Sequence, residues 1–188
     1  LPGVGPCPRP VDIDRSVTGF TRLKSLRIYR FAPNVTIDGE SEVDEVYIVP
    51  LDGSVAMQIS GTHPADARLS PSGDRALYMT PDHAYRLTPT AVTHVAYARA
   101  RATGKVPTHV VAGPSGVGAE HLRMHLVDLA AGAALTTDAG RERLVHVISG
   151  KLHADGAEVS AGQTLALGSG ESPAVTARSD AALLILGA

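Results

Sequence analysis

Residues 141–188 read RERLVHVISGKLHADGAEVSAGQTLALGSGESPAVTARSDAALLILGA. Leu144 to Ile148 is an apolar, largely β-branched run that stops at Ser149-Gly150. Lys151 to His153 leads into a turn at Ala154-Asp155-Gly156, and Ala161-Gly162 opens a second apolar run. Short β-branched runs punctuated by Gly, Asp and Ser are hairpin signals. The stretch therefore predicts one half of a small β-barrel around a pocket, closed by the apolar strand Ala181 to Leu186.

Upstream, the same pattern repeats. In LKSLRIYRFAP, from Leu23, the residues Leu26, Ile28 and Arg30 alternate with Arg27, Tyr29 and Phe31, which is strand periodicity. Val46 to Leu51 ends at Asp52-Gly53, and Ala76 to Met79, Ala84 to Leu87 and Val92 to Ala98 supply further short strands. No segment reads as a long amphipathic helix. Three landmarks recur in order in both halves: Gly53 and Gly150 after a strand, Gly73 and Gly162 before a later one, Val95 and Leu184 in the closing strand. An insertion around Thr62 to Leu69 reconciles their spacing, and the recurrence indicates duplication of one unit. Ala100 to Pro107 loses periodicity and gains charge, which places the boundary between the copies. The expected organisation is an arm at 1–20, a first barrel at 21–100, a crossover linker at 101–118 and a second barrel at 119–188. The Pro-rich arm is either loose or packed on a partner subunit.

Composition narrows the function. In 188 residues, 44% are hydrophobic, with Gly 19, Pro 13, Phe 2 and Trp 0, which suits a real core made of short strands and turns. Lys+Arg 17 against Asp+Glu 19 gives a net charge of −2, so there is no electrostatic case for nucleic acid or an anionic membrane. Cys7, the single cysteine, excludes an intramolecular disulfide and a cysteine-based metal cage. No apolar run reaches the length of a membrane span and no signal peptide is visible, so the expected compartment is the cytoplasm. The expected partners are a small-molecule ligand and a second copy in a homodimer, because no helices are available to cover the outer faces of the sheets.

The order of strand, Ser-Gly-Lys-Leu, turn, Ala-Gly-Gln, strand, Gly-Ser-Gly and strand resembles the cupin family of double-stranded β-barrels. The resemblance implies an all-β chain of two tandem cupin barrels, a bicupin. ALYMTPDHAYRLTPTAVTHVAYARA and the following Lys105 to Val110 are similar to the N-terminal domain and crossover of the 5-deoxy-glucuronate isomerase and 5-keto-4-deoxyuronate isomerase family, over roughly Leu23 to Arg123. That family carries a metal in its C-terminal barrel, held by His-x-His, a Glu and a later His. Here the second half is shorter, and the corresponding positions hold Arg143, Pro173 and the stretch Ala134 to Gly140. In the first half Glu45 fills the acidic position, after one extra residue near Pro50, and Tyr85 that of the later His. A cation where a metal would sit repels it, so neither metal nor other cofactor is expected.

A pocket without metal must work through side chains. The strand EHLRMHLVDL places His121, Arg123 and His125 on one face with Val127 and Leu129; by the geometry the resemblance implies, that face continues into the barrel, and Arg143 joins it from a neighbouring strand. Arg123 and Arg143 suit a carboxylate, and His125 suits acid/base chemistry; the alternative places all three at a barrel rim or between the barrels. The comparable first-half set is Arg27, Tyr29, Glu45, Tyr47 and Tyr85, with Glu45 as base and Tyr85 as acid; here the alternative is tyrosines that simply fill the core. His63, His83 and His153 fall in turns and are expected at the surface, while His94 and His146 are expected to pack or to form an interface. The Gly-rich Gly113 to Gly118 lacks the Lys-Ser/Thr of a phosphate-binding loop. Three functions are compatible with these residues: a metal-independent isomerase, epimerase, cyclase or lyase on a small polar metabolite, a non-catalytic binding module, and a degenerate barrel kept for assembly.

Overall fold

A strand that alternates between two apolar environments has to lie between two cores. Asp44–Pro50 does so, with all seven residues buried. Val46 and Ile48 enter one core, and Tyr47 and Val49 enter another. The structure, a computed structural model, describes residues 7–62, 64–103, 110–112 and 121–188, with the backbone alone for 110–112.

The first half runs β1 (Val11–Asp14), the short helix α1 (Arg15–Thr18), β2 (Leu23–Phe31), β3 (Ile37–Glu40), β4 (Asp44–Pro50), β5 (Val55–Gly61), β6 (Ala65–Leu69), β7 (Ala76–Met79), β8 (His83–Pro89) and β9 (Thr93–Arg101). After β10 (Val110–Ala112) come β11 (Arg123–Leu129), β12 (Ala134–Leu135), β13 (Arg143–Ser149), β14 (Lys151–Ala154), β15 (Ala157–Ser160), β16 (Thr164–Leu167), β17 (Val175–Ala177) and β18 (Ala181–Gly187). The first barrel is the sheet β1-β2-β9-β4-β7-β10 over β3-β8-β5-β6, and the second is β11-β18-β13-β16 over β12-β17-β14-β15. Without β1 and β10 the two strand orders are identical, so the chain is two tandem cupin barrels of one topology. No helix among the described residues is long and apolar enough to cross a membrane.

The glycine landmarks have a steric reason. Gly53 and Gly150 adopt φ of 59° and 81°, and a Cβ would fall 2.3 Å from Thr93 Oγ1 in one and 2.1 Å from the Asp180 carbonyl in the other. Both turns tuck under the start of a closing strand, where only glycine fits. The extra residues of the first half lengthen the β5–β6 hairpin and the turn after it. The third landmark slips by one position. Val95 faces the first barrel's interior, whereas Leu184 faces the core between the barrels and Leu183 is the inward residue.

Several expectations change. The arm is not loose from Cys7 onward: β1 pairs with β2, the Arg30 amide donates to the Pro8 carbonyl, and Val11 and Phe20 enter the core between the barrels. The crossover contributes β10 to the edge of the first sheet, against β7, although most of residues 101–118 lie outside the described residues. One sheet of each barrel has its outer face covered within the chain: Leu26, Ile28, Tyr47 and Ala98 pack with Met124, Leu144, Leu184 and Leu186. His83 is also buried rather than on the surface, whereas His63 lies outside the described residues.

Candidate functional site

In β11 the period of two points Arg123, His125, Val127 and Leu129 into the second barrel and leaves Met124 in the shared core. From β13, Arg143 enters beside Val145 and Val147. These strands line a cavity of about 730 Å³. Among the described residues the charged ones lining it are Arg123, Arg141, Arg143 and Asp138, and Asp138 is paired with Arg141 at 3.0 Å. Arg123 donates to the Leu122 carbonyl at 3.1 Å. His125 is exposed in the cavity, and among the described residues its ring makes no hydrogen bond.

Arg143 differs from its expected role. Its side chain is among the largest fully buried ones, the residue being 2% exposed. It donates to Thr137 Oγ1 at 2.7 Å and to the carbonyls of Gly168 (2.9 Å) and Glu171. Its guanidinium is therefore engaged by protein acceptors, and Nε is left without a partner. Arg143 holds the cavity wall together and does not reach out as a ligand-gripping fork.

In the first barrel β2 contributes Arg27, Tyr29 and Phe31, and β9 contributes Tyr97 and Arg99. They surround a cavity of about 590 Å³. Glu45 and Tyr47, expected here, have the opposite parity on β4 and face the other barrel. Glu45 Oε1 accepts from the backbone N–H of His121 (2.7 Å) and Leu122 (2.5 Å), and Oε2 accepts from the Tyr78 hydroxyl (2.9 Å). The inward carboxylate is Asp44, one residue earlier. Asp44 is fully buried, and its Oδ2 accepts from Lys24 Nζ at 2.7 Å and from Arg99 at 3.2 Å. Tyr85 does line this barrel, stacked on Tyr97 at 6.1 Å. Burial pushes its hydroxyl up to about 12, so it stays protonated. Since Glu45 points to the other side of β4, the expected Glu45–Tyr85 acid–base pair is not assembled. Sequence reading missed Asp44, Lys24 and Arg99.

His94 and His146 lie where their parity put them, along the seam between the barrels, around a small cavity of about 300 Å³ shared with Val11, Ile28 and Leu51. His94 Nδ1 is 2.7 Å from Asp52. His146 is 4% exposed, and burial lowers its pKa to about 4.

A model of the KduI/IolB family matches residues 10–122. The chain belongs to the KduI/IolB family. No curated protein matches it in sequence. Among solved structures it is similar to an IolB-like protein of Salmonella typhimurium LT2, at 14% identity and TM-score 0.71, with 95% of this chain and 92% of that one covered. Protein Ylba of Escherichia coli is similar at 15% identity and TM-score 0.76, covering 100% and 84%. The bacterial pirin YhhW of Escherichia coli in complex with nickel(II) is similar at 15% identity and TM-score 0.71, covering 93% and 86%. At these identities the solved structures establish the fold alone. The family resemblance implies a metal in the second barrel. The residues do not fit one: the polar inward positions of β11 and β13 are Arg123, His125 and Arg143, and among the described residues no group of three or more His, Cys, Asp and Glu could hold an ion.

Proposed function

We propose that this KduI/IolB-family cupin takes a small organic anion of the sugar-acid type in its second barrel and acts on it as a metal-independent isomerase or epimerase. The observation that carries this reading is that three of the four charged residues lining that cavity, among the described residues, are arginines, a lining that favours an anion. Arg123 at the cavity wall offers a planar fork for a carboxylate, and His125 is the accessible proton-transfer group beside it. Val127 and Leu129 supply an apolar floor that excludes water behind the ligand. Arg143, Thr137 and the Gly168–Glu171 loop keep the wall in place.

The test is a titration with D-glucuronate and related sugar acids, together with a turnover assay by proton NMR in deuterated water. Arg123→Met should weaken binding by about 1.5 to 3 kcal/mol, the size of a lost charged hydrogen bond. His125→Asn should abolish solvent exchange at the carbon next to the carbonyl and leave binding largely intact. A non-catalytic binding module is the second reading, favoured by one observation: among the described residues no carboxylate orients the His125 ring. Tight binding by the wild-type chain with no exchange for any sugar acid would select it, and no binding at all would reject both.

A further inference from the structure

The two barrels share a topology but their cavities have diverged in chemistry. Every Phe and Tyr of the chain lies at or before Tyr97, and the second barrel has none. The first cavity has a wall of Tyr29, Phe31, Tyr85 and Tyr97, in which Tyr29 and Tyr97 meet edge to face at 5.5 Å. Its charges are also arranged differently. Lys24 and Arg99 share the buried Asp44, and Arg27 is paired with Asp12 at 3.0 Å. Among the described residues the charges lining this cavity balance, Arg15, Lys24, Arg27 and Arg99 against Asp14, Asp38, Glu42 and Asp44.

Two polar atoms in this cavity are buried without hydrogen bonds among the described residues. Asp44 Oδ1 accepts nothing, although Oδ2 accepts from two cations, and the Tyr97 hydroxyl makes no bond of normal geometry despite its electrostatic coupling to Tyr85. An unsatisfied buried carboxylate oxygen is costly, and a donor entering the cavity would relieve that cost.

We propose that the first barrel is a second ligand site, specific for a neutral polyhydroxylated ring such as an uncharged sugar. The match is chemical. Hydroxyl groups both donate and accept, so one ligand can donate to Asp44 and accept from Lys24 or Arg99. The C–H faces of the ring lie against the aromatic wall, as mostly apolar sites with a few convergent polar groups require. A charged ligand would find no unbalanced counter-charge here. The site is independent of the sugar-acid reading of the second barrel.

Three of the five tyrosines, Tyr29, Tyr85 and Tyr97, line the first cavity and none lines the second, so tyrosine emission reports chiefly on the first. The wild-type chain is titrated with D-glucose, D-galactose and D-xylose, each followed by tyrosine fluorescence and by saturation-transfer NMR, with D-glucuronate as the charged counterpart of glucose. At least one neutral compound should change the emission saturably, with D-glucuronate weaker. Asp44→Asn should weaken that compound by at least about tenfold. If this variant does not fold, Tyr29→Leu, at a half-buried position, should weaken it as well while the emission of the remaining tyrosines is retained. The proposal is overturned if no neutral compound changes the emission, if D-glucuronate binds more tightly by this readout, if NMR detects binding that the tyrosines do not, or if the folded variants bind as the wild type does.

Discussion

Arg143 shows how burial decides what a charged side chain does. An arginine facing a cavity is a candidate grip for a carboxylate, but this one is 2% exposed and engages Thr137, Gly168 and Glu171. Removing it strands those acceptors. Arg143→Met is therefore expected to lower the unfolding free energy by about 2 to 4 kcal/mol, since each buried polar group left unsatisfied costs roughly 1 to 3 kcal/mol. Arg178→Met, at an exposed position in the turn before β18, should change it by no more than about 0.5 kcal/mol. Urea denaturation of both variants checks the contrast. Equal effects would remove the clamp assigned to Arg143.

At the scale of elements, the barrels are joined by two matching clasps. Glu45 at the start of β4 binds the backbone entering β11. Glu142, immediately before β13, binds the backbone entering β2: Oε1 accepts from Thr21 N–H (2.5 Å) and Oε2 from Arg22 and Leu23 N–H (both 2.8 Å). Each barrel's central strand thus holds the first strand of the other. Burial pushes the Glu142 carboxyl up, but these N–H groups and the Thr21 hydroxyl outweigh it and hold the pKa below its ordinary value. A depressed carboxyl stabilises the fold above the unfolded-state pKa and loses that contribution as pH falls through the folded value. Glu142→Gln places an amide where only acceptors suit. It should cost about 1 to 3 kcal/mol at neutral pH, with ligand affinity in the second barrel unchanged. Denaturation midpoints at pH 7 read the effect, and an unchanged midpoint would show that the clasp is not stabilising.

Across the whole molecule, the shared core makes the two barrels one cooperative body, because Leu26, Tyr47 and Ala98 bury against Leu144, Leu184 and Leu186. His146 lies at its edge, largely desolvated, with a pKa of about 4 against an ordinary 6.5. The unfolded chain therefore takes up a proton that the folded chain refuses, and stability is lost as pH falls from 6.5 to 4. Below pH 4 both states are protonated and this loss stops. The full loss is on the order of 3 kcal/mol. Thermal melts from pH 7 to pH 4 should show a falling midpoint with a single transition. His146→Phe should flatten that slope, and an unaltered slope would place the acid sensitivity elsewhere.

Local sequence was enough to read the strands, the glycine turns, the duplication and the inward face of β11, because a period of two and a φ that only glycine tolerates are properties of a few adjacent residues. Arg123 and His125 were legible for the same reason. What β4 does was not legible. Both of its faces are buried, so hydrophobicity gives no sign of which parity points inward, and Glu45 and Asp44 look equally good as pocket carboxylates. Only the tertiary structure assigns Glu45 to a clasp and Asp44 to the cavity, covers one outer sheet face of each barrel, and engages Arg143 with carbonyls more than twenty residues away. Those outcomes depend on contacts distant in sequence, which the chain acquires only when both barrels have closed.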